Sequence, residues 1–420
     1  MWLQFVIDDF QKTMLPGIIA ILATISPIVL AFYLFDIFWN VWVRYIRAAF
    51  FYSQKYSLLE IRLPRDQFKS PLAMELFLTS IHNTSGEGTW VARFWFGKTR
   101  PWFSLEMASI EGQVKFFIWT RAKQKSFLES SLYAQFPGIE VHERDDYACS
   151  VHFDPDSMAV WACEFKLTKP NALPIKTYVD WGLDKDPKEE FKVDPLTPLI
   201  EFLGTLGPNQ QIWIQILIRA HKNEQRTAGH LWKKTDAWQD EAKKLVNEIL
   251  KRDPKSKVAG KFDEKSGRIV PPSISEGERE IVKAIERAVT KQPFDVGIRA
   301  IYFAQRDFFN GDNIGGVLGN WKQFSSESLN TLKHRGDKWH QGFDYPWEDY
   351  RDIRRNRMSR KVFQAYKRRS YFYPPFESKS FTLNTEELAT IFHFPGPVAG
   401  TPTLERVPSK KGEAPSNLPV

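Results

Sequence analysis

Cysteine is nearly absent from this chain: 420 residues hold two, Cys149 and Cys163. Two thiols build no disulfide framework, and their scarcity fits a reducing compartment. Histidine is sparse as well, with eight residues and no pair at metal-binding spacing. His142, Cys149, His152 and Cys163 could be gathered only as an irregular set, without a C-x-x-C or H-x-x-x-H separation among them. No G-x-S-x-G elbow offers a serine nucleophile. Phe96-Gly97-Lys98-Thr99 imitates the end of a phosphate-binding P-loop, yet Ala92 stands where its first glycine belongs, and the segment reads as a strand. Gly311 to Gly316 lacks dinucleotide spacing and reads as a helix-opening turn. These gaps lead us to expect no catalytic residue, no cofactor, no metal and a non-enzymatic role.

Long apolar runs are missing too, with one exception. From Gly17 to Val43 the chain is dominated by Gly, Ile, Ala, Leu, Val and Phe, with Asp36 as its single charge. About 20 such residues span the ~30 Å hydrocarbon core of a bilayer as a helix. The run is too long for a signal peptide, and no small-residue cleavage site follows it. Pro16 opens it, Pro27 lies inside it as an expected kink, and Trp39, Trp42 and Tyr45 suit an aromatic belt at one interface. The N-terminal flank carries Asp8, Asp9 and Lys12, whereas Arg44, Arg47 and Lys55 follow the run. The positive-inside rule therefore predicts a single-pass inner-membrane protein with residues 1–15 outside, a span over 16–43 and the bulk in the cytoplasm. Trp39, Trp42, Arg44 and Arg47 are the expected membrane-interface residues.

The remainder is globular in composition, 43% hydrophobic and 15% aromatic, with a net charge of +8 that favours anionic partners. Leu59, Ile61 and Leu63 share a strand face, and Ala73, Phe77 and Ile81 mark a helix from about Pro71. Strands follow over Thr89–Phe96, Trp102–Ile110 and Val114–Thr120, the last two joined at Glu111-Gly112. A helix over 122–136 and a strand over 139–142 complete a split-βαβ (ferredoxin-like) module with one extra strand, residues 55–150. Residues 155–325 repeat that grammar. A strand spans 159–167, and a helix capped by Asp194 with Pro195 at its first position ends at Gly207. The strand Gln211–Arg219 places Ile212, Ile214, Ile216 and Ile218 on one face, and a helix carries Trp238, Ala242, Leu245 and Ile249. After a polar loop over 251–272, Ser275 and Glu278 signal a capping box, and a strand over 294–304 and a helix through Ile314 to Trp321 close the module. The expected class is α+β: one N-terminal transmembrane helix, two split-βαβ modules and a basic helical C-terminal segment over 333–394.

That segment concentrates Arg351, Arg354, Arg355, Arg357, Arg360, Lys361, Lys367, Arg368 and Arg369, opposed only by Asp352. Near an anionic leaflet each cation gains about 1 kcal/mol. The same charges suit a phosphate backbone, with Tyr366, Tyr371, Phe372 and Tyr373 expected to stack on bases without sequence preference. Anion binding, to DNA or lipid, is thus assigned to these nine cations. A short helix capped by Asn384 and Glu387 follows, and the last residues, 395–420, form a Pro-rich tail expected to be extended or disordered.

The string SFTLNTEELATIFHFPG, with TPTLERVPSKKGEAPSNLP after it, resembles a segment of conjugative type IV secretion proteins. There it joins a membrane-anchored region to a HerA/FtsK-like motor ATPase of the coupling-protein class that pumps DNA. The resemblance implies no chemistry for this part and a separate P-loop motor as partner, with which the chain would form an oligomer. It assigns motor docking to Leu383, Asn384, Thr385, Glu386, Glu387 and Leu388. The expected function is an accessory or scaffold subunit of a DNA-translocating secretion ATPase. The alternative is a membrane-tethered protein that binds nucleic acid or anionic lipid without a motor.

Overall fold

The computed structural model describes residues 15–64, 69–184, 194–222, 225–226, 234–235, 237–250, 261–263, 268–270, 275–335, 343, 345, 347–395 and 406–407. The chain divides into two compact units, Met1–Gln54 with Ser85–Thr99, and Lys55–Thr84 with Arg100–Val420.

The first unit is built on α1, Leu15–Tyr52, which continues through Pro27 and runs past the expected end at Val43. Among the described residues it is the one helix long and apolar enough to cross a membrane, over Ala23–Tyr52. Between Ile25 and Phe38 its described large apolar side chains are exposed, Val29 at 59% and Phe32 at 73%, whereas Ile46 near its end is buried. The expected strand over 89–96 is instead a short helix, α3, Trp90–Phe94. Thr89 decides the local conformation, since its hydroxyl accepts a hydrogen bond from Ala92 N and so caps a helical turn that alternation alone had suggested was extended.

In the second unit the chain runs β1 (Tyr56–Pro64), α2 (Pro71–Ile81), β2 (Trp102–Ile110), β3 (Gln113–Arg121), α4 (Lys125–Gln135) and β4 (Glu140–Arg144). Ser70 caps α2 and Pro71 opens it. Glu111 and Gly112, both at positive φ, turn β2 into β3 as a tight antiparallel hairpin requires. The strand order β4-β1-β3-β2 is that of a split-βαβ module, without the extra strand expected at 89–96.

After α5 (Tyr147–Ser150) come β5 (Met158–Leu167), α6 (Thr197–Gly204), β6 (Gln210–Ala220), the small pair β7 (Gln225–Arg226) and β8 (Lys234–Thr235), and α7 (Ala237–Ile249). A second small pair, β9 (Lys261–Asp263) and β10 (Arg268–Val270), lies where a loop was expected; the rest of that loop is outside the described residues. Then follow α8 (Glu276–Val289), β11 (Pro293–Gln305), α9 (Asp312–Asn320) and β12 (Leu332–Arg335). Helix α6 starts at Thr197, later than expected, because Asp194 accepts from Leu196 N at 2.8 Å in a turn ahead of it. The order β12-β5-β11-β6 repeats the first module, with α7 and α8 inserted between its second and third strands.

The modules are halves of one sheet. β2 pairs antiparallel with β6 from Trp102↔Arg219 to Ile110↔Gln211, so the two edges meet and neither is left open. One face carries the core, where Ile212, Ile214, Ile216 and Ile218 lie with Phe103, Leu105, Phe116 and Ile298. Each such side chain contributes about 1.5–3 kcal/mol by leaving water. The opposite face is covered by α10 (Ile353–Lys367) and by the aromatic segment after it, with Tyr366 and Tyr371 fully buried. The chain closes with β13 (Phe381–Asn384), paired to β11, and α11 (Thr385–Ile391), packed on α2. Of the tail, β14 (Arg406–Val407) runs parallel to the end of β1, and the other residues after Pro395 lie outside the described ones.

A cationic helix face, a buried ion network and a polar cleft

Helix α10 begins where Arg351 and Asp352 adopt positive φ and the Asp349 carboxylate accepts from Arg354 N at 2.7 Å and Arg355 N at 2.8 Å. Ser359, Val362, Phe363, Ala365 and Tyr366 form its buried face. Phe363 meets Phe153, Trp213 and Phe303 there, which sets the helix's rotation about its axis. Arg354, Arg357, Arg360, Lys361 and Arg368 consequently point to solvent. At ~1.5 Å per residue this stripe runs roughly 20 Å. Among the described residues Arg357, Arg360, Lys361 and Arg368 form no ion pair. Arg351 is exposed and stacks over Tyr350 at 5.1 Å, while Arg354 lies over Phe343 at 5.1 Å. Arg355 is half-buried and paired with Asp352 at 3.1 Å, and half-buried Lys367 donates to Val151 O.

Arg369 departs from the expected anion site. Its guanidinium is buried against the sheet, with Nε 3.0 Å from Glu106 Oε1 and Nη2 3.1 Å from Oε2, and it also pairs with Asp146. Burial opposes its charge, but Glu106 and Asp146 outweigh that and push its pKa up, so it stays protonated. Register explains the site: Glu106, Gln215, Arg299 and Glu164 stand opposite one another on β2, β6, β11 and β5. Gln215 bridges Glu106 (3.1 Å) and Arg299 (3.2 Å), and Arg299 reaches Glu164 at 2.9 Å. Tyr147 donates to Glu106 at 2.8 Å and shares a 2.7 Å contact with the Tyr366 hydroxyl; burial, then Glu106, pushes both phenols up. The rings expected to stack on bases are part of this interior: Tyr366 and Tyr371 are fully buried, and Phe372 and Tyr373 are 7% exposed.

The expected docking residues are also enclosed. Leu383, Asn384, Thr385, Glu386, Glu387 and Leu388 are all buried. The capping box does form, between Asn384 and Glu387. Glu387 also accepts from Ile175 N at 2.9 Å, and burial raises its pKa to about 8 against the pull of those two backbone N–H groups. Glu386 accepts from Thr177 Oγ1 at 2.6 Å and pairs with Arg287 at 3.1 Å. An amphipathic pattern identifies a helix to be covered; here this chain's own modules cover it.

In the first unit, Trp39 stacks on Trp90 at 6.0 Å, Trp42 Nε1 donates to Phe94 O at 3.1 Å, Arg44 is exposed and Arg47 half-buried.

Sequence reasoning missed a cleft of about 450 Å³ lined by Arg219, His221, Trp238, Glu241, Asp295 and Lys379 among others. Asp295 lies between Arg219 Nη2 at 2.7 Å and His221 Nδ1 at 2.6 Å, with Arg100 at 3.6 Å. Burial would raise its pKa, yet the His221 hydrogen bond and Arg219 hold it below the usual carboxylate range. An aspartate so neutralised is a fixed anion that orients Arg219 and His221, not a proton acceptor at neutral pH. The signal was the polar set interleaved with the isoleucines of β6: Gln211, Gln215 and Arg219 lie on its other face. Among the described residues no group of three or more His, Cys, Asp or Glu side chains could hold a metal ion.

Two fused split-βαβ modules, preceded by one apolar helix and faced by a cationic helix, define an α+β protein with, among the described residues, one candidate membrane anchor. The chain belongs to the family described as a domain of unknown function, DUF8128, whose match covers residues 50–406. The matched span takes in both modules and the closing β13–α11 segment. No curated protein matches the chain.

Proposed function

We propose that this protein is a non-enzymatic, membrane-anchored accessory subunit of a DNA-translocating type IV secretion (conjugation) ATPase, the motor being a separate P-loop chain. The supporting observation is the pairing, in one chain, of an apolar helix of spanning length with exposed cations along α10. In this reading α1 sits in the inner membrane with its N-terminus outside, because Arg44, Arg47 and Lys55 follow the span. The stripe Arg354, Arg357, Arg360, Lys361 and Arg368 tracks the DNA backbone as the motor moves it, adding affinity without sequence preference. The resemblance of residues 380–418 to coupling-protein segments supports the motor as partner; with 383–388 enclosed, contact with it falls to exposed surfaces. The test is co-purification of the full-length protein with the P-loop ATPase encoded beside it, with and without DNA. Failure to retain the motor in either case would remove this reading.

The charge of α10 also favours a second reading, in which the same stripe holds anionic lipid or nucleic acid without a motor. Replacing Arg354, Arg357, Arg360 and Lys361 by Glu separates the two. Loss of liposome or DNA binding in a protein that never retains the motor favours the second reading, and loss of DNA together with a motor that the unsubstituted protein retains favours the first.

A further inference from the structure

The first unit contains an excursion of chain that neither the modules nor α1 require. Between α2 and β2 the chain leaves the split-βαβ module, forms Ser85–Thr99 and returns. Its middle, α3 with Trp95 and Phe96, lies against the stretch of α1 from Trp39 to Ile46. Trp39 stacks on Trp90 (6.0 Å) and tilts on Phe94 (5.6 Å), and Trp42 packs on Trp95 (5.9 Å). Gly97 lies directly against α1: it has φ +60, and a Cβ there would lie 2.4 Å from Ile46 O. The glycine that imitates a P-loop is therefore required by contact with α1.

Docking leaves a large apolar surface uncovered. Trp90 is 54% exposed, Val91 48%, Trp95 62% and Phe96 58%, on a stretch of seven residues. A soluble domain seldom shows such a cluster without an occupant. The neighbouring residues identify one. About 20 residues from Gly17 cross the hydrocarbon and end near Asp36, so Trp39 and Trp42 fall at the headgroup level. The exposed rings of the excursion are held at that level and continue the same aromatic belt. Arg93, Lys98, Arg44 and Arg47 are interspersed with them, the cation–aromatic mixture suited to anionic headgroups.

We propose that Trp90–Phe96 is a second membrane contact, inserting Val91, Trp95 and Phe96 into the headgroup layer of the bilayer beside α1. The inference rests on α1 spanning that bilayer. The chain then meets the membrane through two segments remote in sequence, and the fold is joined to the membrane-embedded unit by three crossings, after Gln54, Thr84 and Thr99.

The test uses the full-length protein in nanodiscs of zwitterionic and anionic phospholipid, with Cys149→Ser to remove the exposed thiol. A fluorophore is attached at Val91→Cys or Phe96→Cys, at Phe32→Cys within the span and at Tyr133→Cys on the exposed face of α4. Two excursion sites are used so that a folding failure at one leaves the other. Quenching by headgroup-level spin-labelled lipid is compared with quenching by aqueous iodide. At Val91 and Phe96 lipid quenching should dominate, with iodide quenching about five-fold weaker than at Tyr133. Probes at both sites as open to iodide as Tyr133, with Phe32 still lipid-quenched, would overturn the excursion's role and leave the anchor intact. A probe at Phe32 open to iodide would overturn the anchor and this contact together. Shielding from both quenchers would assign the rings to a protein partner or a second copy, and also overturn the proposal.

Discussion

Arg369 and Glu106 form a doubly hydrogen-bonded ion pair, 3.0 and 3.1 Å, with side chains 1% and 0% exposed. Removing one member leaves the other charged in the interior, which costs about 3–5 kcal/mol. Arg369→Met should therefore lower the urea midpoint of the detergent-solubilised protein strongly. Combining it with Glu106→Gln should recover a large part of the loss, because the carboxylate then left without Arg369 is Asp146, which is 25% exposed and keeps access to water. Equal loss in the single and double variants would count against the pair.

His393 is buried, with Nδ1 2.9 Å from Ala389 O and Nε2 3.0 Å from Asp194 Oδ1. Both ring nitrogens face acceptors, so the imidazolium satisfies both. Burial lowers its pKa, but Asp194 and the carbonyl raise it above the usual value; Asp194, raised by burial, is brought below its own by His393. The stabilisation from His393 is fully present below its unfolded-state pKa and is lost as pH rises through the raised one. That from Asp194 is present above the ordinary aspartate range and is lost as pH falls through the depressed one. His393→Gln should thus destabilise by ~3 kcal/mol near pH 6 and by clearly less near pH 9, read from urea midpoints at each pH.

Gly297 lies beneath the Tyr371 ring, where a Cβ would fall 2.3 Å from Tyr371 Cε1. Neither the β11 backbone nor the buried ring has room to retreat. Gly297→Ala should cost about 1–3 kcal/mol, and Tyr371→Leu added to it should restore some of that by differential scanning calorimetry. A neutral Gly297→Ala would mean that the ring packs elsewhere.

If α10 meets nucleic acid, the logarithm of the affinity for single-stranded DNA should fall linearly with the logarithm of salt concentration. Arg357→Gln or Arg360→Gln should each reduce that slope by about 1, alike for every sequence. Arg355→Gln, replacing a half-buried residue already paired with Asp352, should change it less. An unchanged slope when Arg357, Arg360 and Lys361 are all neutralised would exclude this face.

Elements whose periodicity coincides with a single covered face were legible in the chain: α1, α2, β6, α8 with its capping box, and the repeated order of strands and helices. Thr89–Phe96 was misread because its bulky residues suit a strand, while one hydroxyl cap and contact with α1 favour a helical turn. Charge at the candidate site was readable by position but not by environment. Arg357 and Arg369 look alike in sequence; one points to water, and the other lies between Glu106 and Asp146, residues remote in the chain.

The sequence by itself determined the apolar helix, the two split-βαβ grammars and the density of cations near the C-terminus, because each is a local pattern repeated over a few turns or strands. Tertiary structure alone decided that the modules fuse through β2 and β6, that residues 383–388 are interior, and that Arg219, His221 and Asp295 share a cleft. Those outcomes depend on which edges and faces meet across long separations, where burial and strand register, not local propensity, dominate the free energy.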